Sequence, residues 1–256
     1  MSYFSRDDYN NVLSLQLDDV KDDEAIKSTQ RLFDNLHRSL YPQIKTDNLE
    51  LHPNPELPDG VGLKSVCVPF HLPVLTLTYT RSASQSRIVE NSMGRDTTSN
   101  SVEIESRHHL VIELRLSPDY FTIELVMSPA AWYDQQNLTG LLTVSKHREK
   151  LHQLLSKMDG EYSFGFWGGL HLDDMHLNTA KLPPKKVLFQ YLDTFAPRRD
   201  WWRIGRWYTP DDPALDNDTI VKEASRTISE LYKIYDFILW KNANNYISLY
   251  QKTTKS

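Results

Sequence analysis

The densest group of chemistry-bearing side chains in this sequence is RRDWWRIGRWY, residues 198–208. It holds four arginines, three tryptophans and a tyrosine. Indole faces stack on nucleobases and guanidiniums hold phosphates. Arg198, Arg199, Trp201, Arg203, Arg206 and Trp207 are therefore the candidate contact residues, for single-stranded nucleic acid or for a protein partner. Gly205 disfavours a helix interior, and Pro197 and Pro210 bracket the run, so the segment reads as a strand. Alternation then places Trp202, Ile204, Arg206 and Tyr208 on one side, and Trp201, Arg203, Gly205 and Trp207 on the other. One side enters the core; the other is expected to display two indoles and a guanidinium. The competing reading is architectural: arginines cover the indoles, and Asp200, Asp211 and Asp212 neutralise them.

A second cluster lies in GGLHLDDMHLN. His171, Asp173, Asp174 and His176 offer two imidazoles and two carboxylates, donors that suit Zn, Mn or Fe. On this cluster rests the alternative function, a metal-dependent hydrolase or nuclease with a divalent metal such as Zn or Mn as cofactor. Neither strand nor helix spacing gathers all four side chains, so a turn is required. The simpler expectation is a polar turn in which Asp173 or Asp174 caps backbone amides. Gly165, Gly168 and Gly169 just before it fit a bulge or a close backbone approach.

A third pattern is Glu113-x-Arg115. Acid-x-base spacing on a sheet suits a nuclease, but arginine does not deprotonate and makes a poor base. Cross-strand pairing of Glu113 or Arg115 with Glu124 explains the pattern more simply. His108 and His109 read as surface polar residues. The sequence has no G-x-S-x-G, no G-x-G-x-x-G and no phosphate-loop lysine, so no catalytic residue is assigned.

The elements that must position these residues follow from periodicity. A helix is expected from Asp22 through Ile26, Phe33, Leu36 and Leu40, ended by Pro42. Residues 46–62 read as a loop. KSVCVPF and LPVLTLTYT read as strands, with Pro69 and Pro73 marking a bend or edge. Residues 82–101 are dominated by small polar residues and read as a mobile insertion loop. HHLVIELRL and YFTIELVM flank SPD and predict a hairpin with one buried face.

Two helices follow, one opened by Pro129 and one capped by Ser145 and closed by Gly160. EYSFGFWGGL returns to strand, and PPKKVLFQYLDTF forms a helix. The longest helix runs from about Thr219 to Trp240, with Ala224, Ile228, Leu231, Tyr235 and Ile238 on its apolar face. Tyr246, Ile247, Leu249 and Tyr250 suit a short final strand or a docking contact.

Bulk properties set the limits. The chain has 256 residues, 39% hydrophobic, 11% aromatic and 25% charged, as in ordinary globular proteins. A net charge of −5 argues against nucleic-acid coating by the whole surface but leaves room for a local basic patch. The lone Cys67 reads as a buried small hydrophobe and fits a reducing compartment. No apolar run approaches bilayer length, so no membrane association is expected, the sequon at Asn137 reads as chance, and the location expected is cytoplasmic.

The expected fold is α+β: residues 21–256 form one domain behind a loosely ordered arm, residues 1–20. An antiparallel or mixed sheet of about five or six strands is covered on one face by the N-terminal and the long C-terminal helices. The leading expectation for function is a non-catalytic binding or accessory protein, possessing an Arg/Trp contact surface and suited to membership of a complex.

Overall fold

The computed structural model describes residues 1–13, 24–53, 61–62, 74–94 and 105–246. They form a single α+β domain around one antiparallel sheet. Cys67, Pro69, Pro73 and the expected strand at KSVCVPF lie outside the described residues, as do residues 14–20, 95–101 and 247–250.

Of the expected arm, residues 1–13 are described and contact the domain. The Met1 amino group pairs with Asp216 at 3.1 Å, and Tyr3 N–H donates to Leu215 O at 2.8 Å. Phe4 is fully buried, with its ring 5.1 Å from Phe33 and 5.2 Å from Phe121. Helix α1 (Arg6–Leu13) is tied to helix α2 (Glu24–Thr46) by Thr29 Oγ1, which donates to Asp8 at 2.6 Å. The α2 stripe of Ile26, Phe33, Leu36 and Leu40 is buried as the spacing predicts. Pro42 does not end this helix. A proline near a helix end removes only one N–H bond, and the stripe continues to Ile44, which is 1% exposed.

After strands β1 (His52–Pro53) and β2 (Val61–Gly62) comes β3 (Leu75–Thr80). Helix α3 (Ala83–Ser92) replaces the first half of the expected insertion loop. Ser82 Oγ accepts from Gln85 N–H, and Ser86, Val89 and Glu90 are buried. Ser-x-x-Gln is a capping-box signature, a signal present in the sequence but outweighed by the small polar residues around it. Strands β4 (Val111–Leu116) and β5 (Phe121–Met127) form the expected hairpin, closed by Ser117 N–H donating to Tyr120 O.

Helices α4 (Trp132–Leu142) and α5 (Ser145–Ser156) follow, then β6 (Ser163–Gly165), β7 (Leu177–Asn178), α6 (Lys185–Leu192), β8 (Trp202–Tyr208) and α7 (Ile220–Ile238). Tyr246 N–H donates to Asn137 Oδ1 at 2.9 Å, and its ring packs on Gly140.

The sheet order is β1-β3-β4-β5-β8-β6-β7, with β2 also on β3, and every pairing is antiparallel. The eight strands exceed the five or six expected because four of them have only two or three residues. Helices α2 and α7 cover one face, where Leu77, Leu114, Ile123 and Ile204 join the main core. Ala224, Ile228, Leu231, Tyr235 and Ile238 of α7 are all buried there.

The hairpin was expected to bury one face, yet every residue of β4 and β5 is buried. The second face carries Thr76 and Thr78, Glu113 and Arg115, Thr122 and Glu124, and Arg203, Gly205 and Trp207. It is a polar and charged face removed from water. Gly205 sits opposite Glu124, and a Cβ there would lie 2.6 Å from Glu124 Cα and overlap Ile123 O. Gly205→Ala is therefore expected to destabilise the fold by about 2 kcal/mol or more, since backbone on the neighbouring strand must move. A urea midpoint equal to wild type would refute this close approach.

Candidate binding surface

Strand β8 alternates as its sequence predicts, but neither side becomes a cationic patch. Arg203 is fully buried, and its guanidinium bonds both oxygens of Glu124, at 2.9 and 2.7 Å. Arg115 bonds Glu124 at 2.7 Å and Glu113 at 3.3 Å. The cross-strand pairing of Arg115 with Glu124 is thus present. Burial alone pushes the Glu124 carboxyl up, but Arg203 and Arg115 overcome it and hold it below the usual carboxylate range. The indole of Trp207 lies beside both guanidiniums, 5.6 Å from Arg115 and 5.3 Å from Arg203, with Tyr120 edge-on.

Arg206 lies on the helix-covered side and pairs with Glu223 at 2.8 Å. Glu223 also accepts from Arg226 and from the Tyr208 hydroxyl. Of the expected contact residues, Arg203 is thus fully buried, and Arg206 and Trp207 are half-buried and engaged within the fold. Their partners come from β5 and α7, so the carboxylates that neutralise them are not the adjacent Asp200, Asp211 and Asp212.

The residues ahead of β8 behave differently. Arg198 and Arg199 are exposed, and neither side chain forms an ion pair among the described residues. Arg198 has a left-handed backbone, φ 67°. Its N–H donates to Gln135 Oε1 at 2.6 Å, and Gln135 Nε2 donates to Ser128 O and Asp200 O. Gln135 is fully buried, so it fixes a backbone geometry that non-glycine residues rarely adopt. The guanidinium then rests 5.0 Å from the Trp132 ring. Beside it lies a depression of about 840 Å³ lined by His108, Trp132 and Arg198 among others. Trp201 is half-buried against Val74, Val111 and Val126.

A third indole reaches the surface near the start of β8. Trp167 is 62% exposed, while its carbonyl and that of Gly169 accept from Arg203 at 3.1 and 2.8 Å. The sequence reading missed Trp132 and Trp167, because each depends on a neighbour distant in the chain.

The segment of the expected metal centre is a 3-10 turn, Leu172–Asp174. Asp174 caps it by accepting from His171 N–H at 3.2 Å, the simpler of the two expectations. His176 Nδ1 lies 3.2 Å from the Tyr191 hydroxyl. Among the described residues no three His, Cys, Asp or Glu side chains converge as metal ligands, so His171, Asp173, Asp174 and His176 are not gathered into the centre of the alternative reading. The glycines serve close approach: a Cβ at Gly165 would lie 2.8 Å from Asp174 O.

His108 and His109 are buried, not surface residues. Glu90 Oε1 lies 2.9 Å from His108 Nδ1 and 3.3 Å from His109 Nε2. Burial pushes the Glu90 carboxyl up, but its histidine hydrogen bonds hold it down at about 2. Burial is also the main influence on His109, lowering its pKa. Nearby, Asp134 accepts from Arg81, from Leu110 N–H and from Trp240 N–H, joining β3, β4 and the end of α7.

The chain matches no protein-family model and no curated protein sequence.

Two outcomes test this network. Glu124→Ala removes the carboxylate that two buried guanidiniums share and is expected to cost about 3–5 kcal/mol, whereas exposed Arg199→Ala should cost under about 0.5 kcal/mol. Equal urea midpoints for the two variants would contradict the buried pairing. The lowered pKa values of His109, Glu90 and Glu124 all act in one direction. Each group binds fewer protons folded than unfolded, so stability is greatest at higher pH and falls with acid. The loss begins below the ordinary histidine value of 6.5 and steepens from 4.5 toward about 2 as Glu90 protonates. Melting temperature against pH should fall along this window, and Glu90→Gln should flatten its acid end.

Proposed function

We propose that this chain is a non-catalytic binding protein whose contact surface lies where β5 ends and β8 begins, and that its ligand is single-stranded nucleic acid. The observation that carries the reading is the exposed Arg198 guanidinium over the Trp132 ring, held in a left-handed conformation by buried Gln135. A fixed indole offers a base a stacking face, and two guanidiniums with no ion pair among the described residues offer phosphates a counter-charge. Arg199 supplies the second charge, and half-buried Trp201 extends the aromatic edge. The net charge of −5 fits a short local contact of one or two phosphates.

A protein partner is the second reading, and the exposed indole of Trp167 favours it. Its loop is anchored by Arg203, so an apolar contact there loses little freedom on binding. A cytoplasmic accessory role belongs to the same proposal. Among the described residues no helix is long and apolar enough to cross a membrane.

Fluorescence anisotropy of a labelled single-stranded oligonucleotide tests the first reading. Binding should weaken with salt at a log–log slope of about −1.4, as two phosphate contacts on a single strand require. Trp132→Ala should weaken it by roughly 1–3 kcal/mol, the worth of one stacked base. Arg198→Ala with Arg199→Ala should remove the salt dependence. No binding at low salt sinks the nucleic-acid reading. If Trp167→Ala, and not Trp132→Ala, impairs association with a purified protein partner, the second reading gains.

A further inference from the structure

A separate groove runs between α5 and α7, with a volume of about 970 Å³. Its floor is apolar: Leu154 comes from α5, and Tyr232 and Phe237 come from α7. All three are only half-buried, although each packs against the main core. The His147 ring, 6.3 Å from Phe237, extends this floor.

The rims are cationic. Lys146 and Lys150 stand four residues apart on α5, hence on one side of that helix. Lys233 stands on α7. All three are exposed and line the groove, and none forms an ion pair among the described residues. The groove's two acidic residues are already engaged, Glu149 with Lys185 and Asp236 with Lys241. A cationic border on a chain of net charge −5 is a local departure from the rest of the molecule.

We propose that this groove is a docking site for an acidic amphipathic helix of another protein. Two neighbouring helices leave a furrow in which a third packs at ordinary interhelical distance, its apolar stripe on the floor. Lysines on both rims select a stripe flanked on each side by carboxylates. Opposite charge of this kind steers the encounter and fixes register more than it adds affinity. The site is independent of the Arg198 surface, so either proposal can fail alone.

The test uses the full chain and a fluorescein-labelled synthetic helix of about 18 residues, long enough to cross the groove. Leucines form its apolar stripe and glutamates flank the stripe. Matched peptides carry lysine for glutamate, or serine for leucine. The acidic peptide should bind, and the two controls should bind at least about tenfold more weakly, a difference of about 1.4 kcal/mol. Lys150→Glu with Lys233→Glu should weaken the acidic peptide and strengthen the lysine peptide, a charge swap that loss of fold cannot imitate. Arg198→Ala should leave peptide binding unchanged. The proposal is overturned if the acidic peptide does not bind at low salt or if the serine peptide binds as well. It is also overturned if the double substitution changes nothing, or if the same lysines bind phosphatidylglycerol vesicles but not the peptide.

Discussion

The carboxylate of Glu124 governs the second face of the sheet. It is fully buried and accepts from Arg203 on β8 and Arg115 on β4. An unpaired charge at this depth would cost several kcal/mol, and here Glu124 is bonded by Arg203 and Arg115, and Arg115 by Glu113 as well. This pairing fixes what β8 can show to solvent. Nη2 of Arg203 is committed to Glu124, and its Nη1 holds the carbonyls of Trp167 and Gly169. One buried ion pair thereby organises three strands and positions the loop that presents an exposed indole.

The opposite side of β8 follows the same rule at a wetter position. Arg206 would be a charge within the helix-covered layer, but Glu223 on α7 meets it and Arg226 shares that carboxylate. Asp134 plays a comparable part at the end of the sheet, where it gathers Arg81 and two backbone N–H groups from separate elements. Among the described residues, several exposed cations have no carboxylate partner. Arg198 and Arg199 at the start of β8, and Lys146, Lys150 and Lys233 along the α5–α7 groove, are such groups. The two proposed contacts are built on them.

Much of the fold was legible from local pattern. The apolar stripe of α7, the β4–β5 hairpin and the alternation of β8 all follow from side-chain period, which neighbours along the chain set. Pro42 and the serine-rich run before Ser92 misled for the opposite reason: local propensity argued against helix, and packing of Ile44, Ser86 and Val89 overrode it. At the candidate surface, alternation along the segment was legible, but the exposure of each side chain was not. Arg198 and Arg199 are exposed, Trp201, Arg206 and Trp207 are half-buried, and Arg203 is fully buried.

By itself the sequence determined which side chains share a face, because alternation along a strand and recurrence along a helix are properties of consecutive residues. Tertiary structure alone decided whether each face meets water. Glu124 and Arg203 lie 79 residues apart, and no local pattern says that their strands become neighbours. Once β5 and β8 pair, their charges find each other, and the first four residues of β8 are buried on both sides. The same long-range approach brings Trp132 beneath Arg198, which is why that contact could not be read along the chain.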